Sequence, residues 1–254
     1  MVVEYAKEGA IAVITLNRPE ARNAINGEVA KRMEEILDDY ETDDSLWVAI
    51  LTANGSAFCA GADLKEVAAG RGNTLGTRKG GFAGLVKRER TKPLIAAITG
   101  SALAGGTEIA LSCDLIVCAE DTQFGLPESK RSLIAGAGGL FRLPRAIGMG
   151  PAMEAIMTGD PIPAARAYQL GMVNHMVPSE QVMTTAKDVA TRITKAAPLA
   201  VQASRRVAAN ALALADDELW AASGKEFAGI AKTEDYHEGP RAFIEKREPN
   251  WKGS

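Results

Sequence analysis

Gly100-Ser-Ala-Leu-Ala-Gly-Gly-Thr-Glu-Ile-Ala-Leu-Ser112 follows directly on an apolar stretch, Leu94 to Ile98, that reads as a buried strand. A helix is expected to begin near Gly105. Glycines at a strand-to-helix turn let a ligand approach the backbone closely. The first N–H groups of a helix have no internal partner and sit at its positive end, where they can bind a developing oxyanion. Glu108 lies one turn further on, a carboxylate in a run, Ala102 to Ala119, that otherwise reads as core. Taken alone, the stretch is equally a tight turn with Glu108 as a capping residue.

Working outward, three more apolar segments read as strands: Ala10 to Leu16, Trp47 to Thr52 and Leu115 to Cys118. Between the first two, Asn26 can cap a helix whose apolar residues Val29, Met33, Ile36, Leu37 and Tyr40 share one face. Strands alternating with helices imply an α/β layered core. After Pro151 the pattern turns helical, with helices expected over Val182 to Ala196, Leu199 to Leu214 and Glu218 to Lys232. No internal repeat is apparent. The chain divides into a core over 1–195, carrying the active site, and a helical C-terminal region over 196–254. The alanine-rich faces of those last helices call for a partner surface, so an oligomer is expected.

A second strand-to-helix junction, Ala57-Phe-Cys-Ala-Gly-Ala-Asp-Leu64, follows the Trp47 strand. Asp63 can cap a helix beginning at Leu64. One N–H here and one at Gly105 would form a two-donor hole, although this segment alone is also a capped turn. A third segment, Phe124-Gly-Leu-Pro-Glu128, follows the Leu115 strand and a return loop, so Glu108 and Glu128 could face one cleft. Two carboxylates in different environments can act as acid and base on one water. A surface glutamate after a proline is the plainer alternative. Ala135-Gly-Ala-Gly-Gly139 is a glycine-rich entry to a helix, neither a dinucleotide fingerprint nor a phosphate-binding P-loop.

Composition narrows the classes of function. The 254 residues are 46% hydrophobic with a formal net charge of −3, which gives no support to a nucleic-acid partner. Arg78, Lys79, Lys87, Arg88, Arg90 and Lys92 are expected to form a solvated basic face, with a phosphate-attracting patch as the alternative, and Ala68 to Gly84 a mobile glycine-rich connection that serves as a lid or binding loop. The three cysteines form no C-x-x-C pair, and only two histidines are present, so a reduced cytoplasmic chain without a metal site is expected. Neither a secretory signal nor a membrane span is expected.

Taken in order, Leu16-Asn-Arg-Pro-Glu-Ala-Arg-Asn-Ala24, Ala60-Gly-Ala-Asp63, Ala104-Gly-Gly-Thr-Glu108, Phe124 to Glu128 and Gly239-Pro-Arg-Ala-Phe-Ile-Glu-Lys-Arg247 resemble the enoyl-CoA hydratase/isomerase, or crotonase, family over nearly the whole chain. The resemblance implies an α/β crotonase (ClpP-like) spiral of β-β-α units with a helical C-terminal trimerisation region, in a homotrimer or dimer of trimers. It implies that the N–H groups of Ala62 and Gly105 hold a thioester oxygen and that Glu108 and Glu128 handle protons. Arg22, Ala24, Ala60, Asp63, Leu64, Lys65 and Lys246 would then contact coenzyme A, which enters as part of the acyl-CoA thioester substrate, with no separate cofactor. The reaction implied is addition of water to a 2-enoyl-CoA, or the reverse. The nearest rivals are a Δ3,Δ2-enoyl-CoA isomerase and a non-catalytic CoA-thioester-binding scaffold. Ala135 and the run Leu140-Phe-Arg-Leu-Pro144 depart from the commonest hydratase pattern and look more like the branch of carnitinyl-CoA dehydratase-like and actinobacterial proteins.

Overall fold

The computed structural model describes residues 1–254. The chain opens with β1 (Val3–Glu8), β2 (Ile11–Leu16) and α1 (Gly27–Thr42), then β3 (Val48–Ala53), β4 (Ala57–Cys59) and α2 (Leu64–Ala68). A small ribbon, β5 (Gly76–Thr77) with β6 (Gly81–Phe82), precedes β7 (Leu94–Ile98), β8 (Ser101–Leu103) and α3 (Gly105–Ala110). Next come β9 (Leu115–Ala119), β10 (Gln123–Gly125), α4 (Gly139–Ile147), α5 (Met149–Thr158), β11 (Ile162–Pro163), α6 (Ala164–Gln169) and β12 (His175–Val177). Helices α7 (Val182–Thr194), α8 (Pro198–Ala208), α9 (Asp216–Ile230) and α10 (Glu234–Glu245) complete the chain.

The strands form a large sheet in the order β1-β2-β3-β7-β9-β12 and a smaller one in the order β11-β10-β8-β4. Each turn of the structure uses one strand from each sheet: β3 then β4, β7 then β8, β9 then β10. A helix, or a 3-10 turn over Pro127–Arg131 in the last case, closes the turn. This is a spiral of β-β-α units. The repeat lies in the shared order of connections, and the β4–β8 pairing shifts register between Ala57 and Cys59 where β8–β10 pairs regularly.

Apart from Thr52 in β3, the central strands β3, β7 and β9 are apolar at every position because both faces of the large sheet are covered. Ala49, Leu51, Leu94, Ala96, Ile98, Ile116 and Cys118 point into the main core. The alternate residues Val48, Ile50, Ile95, Ala97, Val117 and Ala119 pack against Val182, Ala186, Val189 and Ala190 of α7. Helix α1 buries Val29, Met33, Ile36, Leu37 and Tyr40, and the Asn26 side chain accepts from the Val29 N–H at 2.9 Å, as the periodicity predicts. No helix is long and apolar enough to cross a membrane.

The basic run from Arg78 to Lys92 is not one solvated face. Arg88, Arg90 and Lys92 are buried. Arg88 pairs with Asp38, and Arg90 pairs with Asp114 at 3.1 Å and donates to the Ser112 carbonyl at 2.7 Å. Lys92 donates to the carbonyls of Tyr40 and Asp43, at the C-terminal end of α1, where a cation completes unpaired acceptors. Only Arg78, Lys79 and Lys87 of the six remain exposed on the surface. Residues 72–82 fold into a 3-10 turn and the β5–β6 ribbon, anchored by buried Leu75 and Ala83.

Helix α9 buries none of its residues, and Trp220, Phe227, Phe243 and Ile244 of α9 and α10 stand largely exposed, Phe243 at 85%. Helix α10 lies beyond the last helix expected from the sequence, which ends at Lys232. Thr233 caps it through the Tyr236 N–H at 3.2 Å, and Pro240 is accommodated inside.

Candidate active site

The main cleft, about 1260 Å³, is walled by the C-terminal ends of the small-sheet strands, the α2 and α3 N-termini, the β5–β6 ribbon and the loop before α4. Arg22, Ala24, Ala60, Ala62, Asp63, Leu64, Lys65, Gly105, Glu108 and Glu128 all line it. Lys246 does not; it sits in the left-handed conformation at the C-terminal end of α10, away from the cleft of its own chain.

Two backbone donors meet at the cleft floor. Ile25 accepts the Asp63 N–H at 2.9 Å and gives its own N–H to the Gly61 carbonyl at 2.8 Å. That parallel bridge leaves the intervening Ala62 N–H on the opposite edge, with no acceptor in the chain. The Gly105 N–H opens α3 and has no acceptor within the helix. The two segments are in contact: a Cβ added to Gly61 would stand 2.9 Å from the Gly105 nitrogen. A Cβ on Gly106 would lie 2.1 Å from the Cys59 carbonyl oxygen, so only glycine fits there, and one on Gly105 would lie 2.4 Å from Phe82 Cε1, so a side chain there requires the Phe82 ring to move. Ala104, between β8 and α3, has φ 52° and ψ −126°, a conformation that costs an L-residue about 1–3 kcal/mol. The strain bends the chain sharply enough to aim the first α3 N–H into the cleft.

Buried Asn23 braces the outer wall. Its side chain donates to the carbonyls of Asn54 and Ala57, both at 2.8 Å, and accepts the Arg18 N–H at 2.8 Å. Arg18 in turn donates to the Ala24 carbonyl at 2.6 Å and pairs with Asp63 at 3.2 Å. Asp63 also caps α2, accepting the Lys65 N–H at 3.1 Å. Arg22, Lys65, Arg78, Lys87 and Arg131 line the cleft with no carboxylate partner, which gives its mouth a cationic rim.

The two glutamates differ in environment. Glu108 is buried, 3% exposed, and its Oε1 accepts the Gly139 N–H at 2.8 Å. Burial raises its pKa, while the N–H groups of Gly139 and Ala137 and the Arg142 guanidinium pull the other way. Glu128 is half-buried, and its Oε2 is enclosed without any hydrogen-bond partner from the protein. Burial and the neighbouring Glu108 push its carboxyl up to about 7, against its own backbone N–H and Arg131. One carboxylate is thus supported by fixed donors, and the other readily holds a proton near neutral pH. Two carboxylates whose environments separate their proton affinities in this way can act as acid and base. The Cys59 thiol accepts the Gly61 N–H at 3.3 Å, and burial pushes its pKa up to about 12, so it serves the turn and not as a nucleophile.

Residue-type reasoning left Arg18, Asn23, Phe82 and Arg142 unassigned. The Asn-Arg-Pro to Arg-Asn-Ala segment held a signal for the first two. Nothing local distinguished Phe82 or Arg142, whose roles depend on loops brought together from distant parts of the chain.

The spiral of β-β-α units with a helical C-terminal extension is the crotonase fold. The enoyl-CoA hydratase from Mycobacterium tuberculosis H37Rv superposes with a TM-score of 0.95 at 43% identity, covering 100% of this chain and 99% of that one. The chain belongs to the enoyl-CoA hydratase/isomerase family, whose sequence model matches residues 6–254. Among relatives, a carnitinyl-CoA dehydratase of Citrobacter koseri is 38% identical over 99% of this chain and 98% of its own length. A mevalonyl-coenzyme A hydratase, sidH, of Aspergillus fumigatus is 38% identical over 96% of this chain and 92% of its own. The resemblance to the carnitinyl-CoA dehydratase-like and actinobacterial branch read from Ala135 and Leu140 to Pro144 agrees with these matches.

Proposed function

We propose that the protein is a hydratase that adds water across the C2=C3 bond of a 2-enoyl-CoA thioester, or removes it from a 3-hydroxyacyl-CoA. The observation that carries this reading is the convergence of two free backbone donors and two unlike carboxylates on one cleft. The Ala62 and Gly105 N–H groups hold the thioester oxygen as it gains charge, each worth about 3–4 kcal/mol to the transition state. Water then attacks C3. Its proton passes to Glu108, whose carboxylate is fixed by the Gly139 N–H. The π electrons of the C2=C3 bond move into the enolate, and C2 takes a proton from Glu128. One proton enters the pair and one leaves it, so the singly protonated pair is the active form in both directions.

The coenzyme A portion lies along Arg22, Ala24, Ala60, Asp63, Leu64 and Lys65, on the cationic side of the cleft. The chemistry requires no separate cofactor. Lys246 meets that coenzyme A from a neighbouring copy, and the apolar surface of α9 and α10 is the face that joins copies, in a trimer or a dimer of trimers. The large exposed aromatic and aliphatic residues there support an assembly. Residues 1–195 then form the catalytic core and 196–254 the assembling region.

The test is a panel of 2-enoyl-CoA and 3-enoyl-CoA thioesters of different chain length and branching, followed by mass spectrometry. A gain of one water by some 2-enoyl members, lost in Glu128→Gln, supports the reading. Double-bond migration in 3-enoyl members without water gain would replace it with an isomerase, and tight thioester binding with neither reaction would leave a scaffold.

A further inference from the structure

Arg142 is the one arginine near the glutamates that has no carboxylate partner yet is largely enclosed. Its Nη2 donates to the Val86 carbonyl at 2.6 Å and its Nη1 to the Ala137 carbonyl at 3.3 Å. Val86 follows the β5–β6 ribbon, and Ala137 belongs to the glycine-rich loop before α4. These are two separate walls of the cleft, and both residues line it. The loop held by Arg142 is the one whose Gly139 N–H binds Glu108 Oε1 at 2.8 Å. Gly138, between them, has φ 110°, and a Cβ there would stand 2.4 Å from Arg142 Nη1. The guanidinium therefore occupies the space that a side chain at Gly138 would take. The Phe141 ring lies 5.4 Å from the guanidinium carbon and limits its freedom on another side.

We propose that Arg142 is a positioning residue for the reaction: by clamping the Val86 and Ala137 carbonyls together it fixes the Ala137–Gly139 turn, and through the Gly139 N–H it fixes the direction of the Glu108 carboxylate. This rests on the hydratase reading for its kinetic consequence, but the clamp itself is a property of the chain. A planar fork suits two carbonyls on two loops in a way that a lysine ammonium does not. The charge has a second effect. The groups facing Arg142 are Glu108, Arg90, Arg145 and the Cys113 thiol, and those facing Glu108 are Arg142 and Glu128. Arg142 is the cation that favours ionised Glu108, so its removal moves the Glu108 titration to higher pH.

The experiment compares Arg142→Met, Arg142→Lys and Gly138→Ala in the full chain, each checked for folding by thermal melting. The kinetic reading uses the best 2-enoyl-CoA of the panel. The titration reading uses protein labelled with 13C at the glutamate carboxyl, the Glu108 signal being assigned by its loss in Glu108→Gln. Expected for Arg142→Met is a kcat about 10–100-fold lower, the cost of a displaced catalytic group, with KM within about threefold, and a Glu108 titration moved to higher pH. Arg142→Lys keeps the charge and the Glu108 titration but not the rate, and Gly138→Ala lowers kcat without removing any charge. Wild-type kcat in both Arg142→Met and Gly138→Ala would overturn the proposal, as would a Glu108 titration that stays in place or falls in Arg142→Met. Should Arg142→Met fail to fold, the other two variants decide. A wild-type protein that turns over no enoyl thioester would refute the hydratase reading, and the titration of Glu108 would still judge the clamp.

Discussion

The pH dependence of turnover is the consequence of the site that can be worked furthest. In the mechanism above the free enzyme must hold one proton between Glu108 and Glu128. The alkaline limb of kcat/KM then follows loss of that proton, with an apparent pKa belonging to the pair and lying close to the value of about 7 for Glu128. Above it the rate falls about tenfold per pH unit, to roughly a tenth of maximum one unit above that pKa and a hundredth two units above it. The acid limb follows uptake of a second proton by Glu108, whose pKa burial raises. Adding neutral water changes no proton count, so the equilibrium constant is independent of pH and the two directions must show one and the same bell. The assay follows thioester absorbance for hydration and dehydration from about pH 5 to 10. A flat alkaline limb to pH 9 would refute the role given to protonated Glu128. Glu128→Gln, which carries a hydrogen but cannot release a proton, should lose about 100–10,000-fold in kcat at every pH and show no limb near 7.

Other consequences are tested more simply. Gly105→Ala places a Cβ 2.4 Å from Phe82 Cε1 and displaces an oxyanion donor, so kcat/KM should fall about 100–1000-fold while the melting temperature changes little, because half-buried Phe82 can turn aside. Ala104→Gly should raise stability to urea by about 0.5–2 kcal/mol, since relief of about 1–3 kcal/mol of strain at φ 52° exceeds the roughly 0.5–1 kcal/mol entropy cost of glycine; a destabilised variant would show that the turn is not strained. If copies join through α9 and α10 as proposed, Phe243→Asp with Ile244→Asp should shift the sedimentation coefficient to that of a single chain, and an unchanged value would contradict an assembly through this face.

What the sequence made legible followed from how local each signal was. The α1 face and its Asn26 cap, the bounds of β7, the Asp63 cap and the start of α3 at Gly105 all depend on neighbours within one or two turns, and all stand in the structure as expected. The strands β4, β8 and β10 have three residues each and carry no readable alternation. Without them the spiral was visible only through family resemblance. Arg88, Arg90 and Lys92 read as a solvated run because charge density in one dimension says nothing of the α1 C-terminal carbonyls and Asp114 that receive them. The approach of Glu108 to Glu128 had its residue types in view, but the environments that separate their proton affinities are made by Gly139, Ala137 and Arg142, which arrive from another part of the chain.

The most direct test of the central claim, that Glu108 and Glu128 act on one water at one thioester, is turnover of a responsive 2-enoyl-CoA in water labelled with both deuterium and oxygen-18, for the wild type, Glu108→Gln and Glu128→Gln. The account predicts one oxygen-18 at C3 and one deuterium at C2 in the wild-type product, with both labels lost in each variant while thioester binding persists. Near-normal incorporation of either label in Glu128→Gln would contradict it.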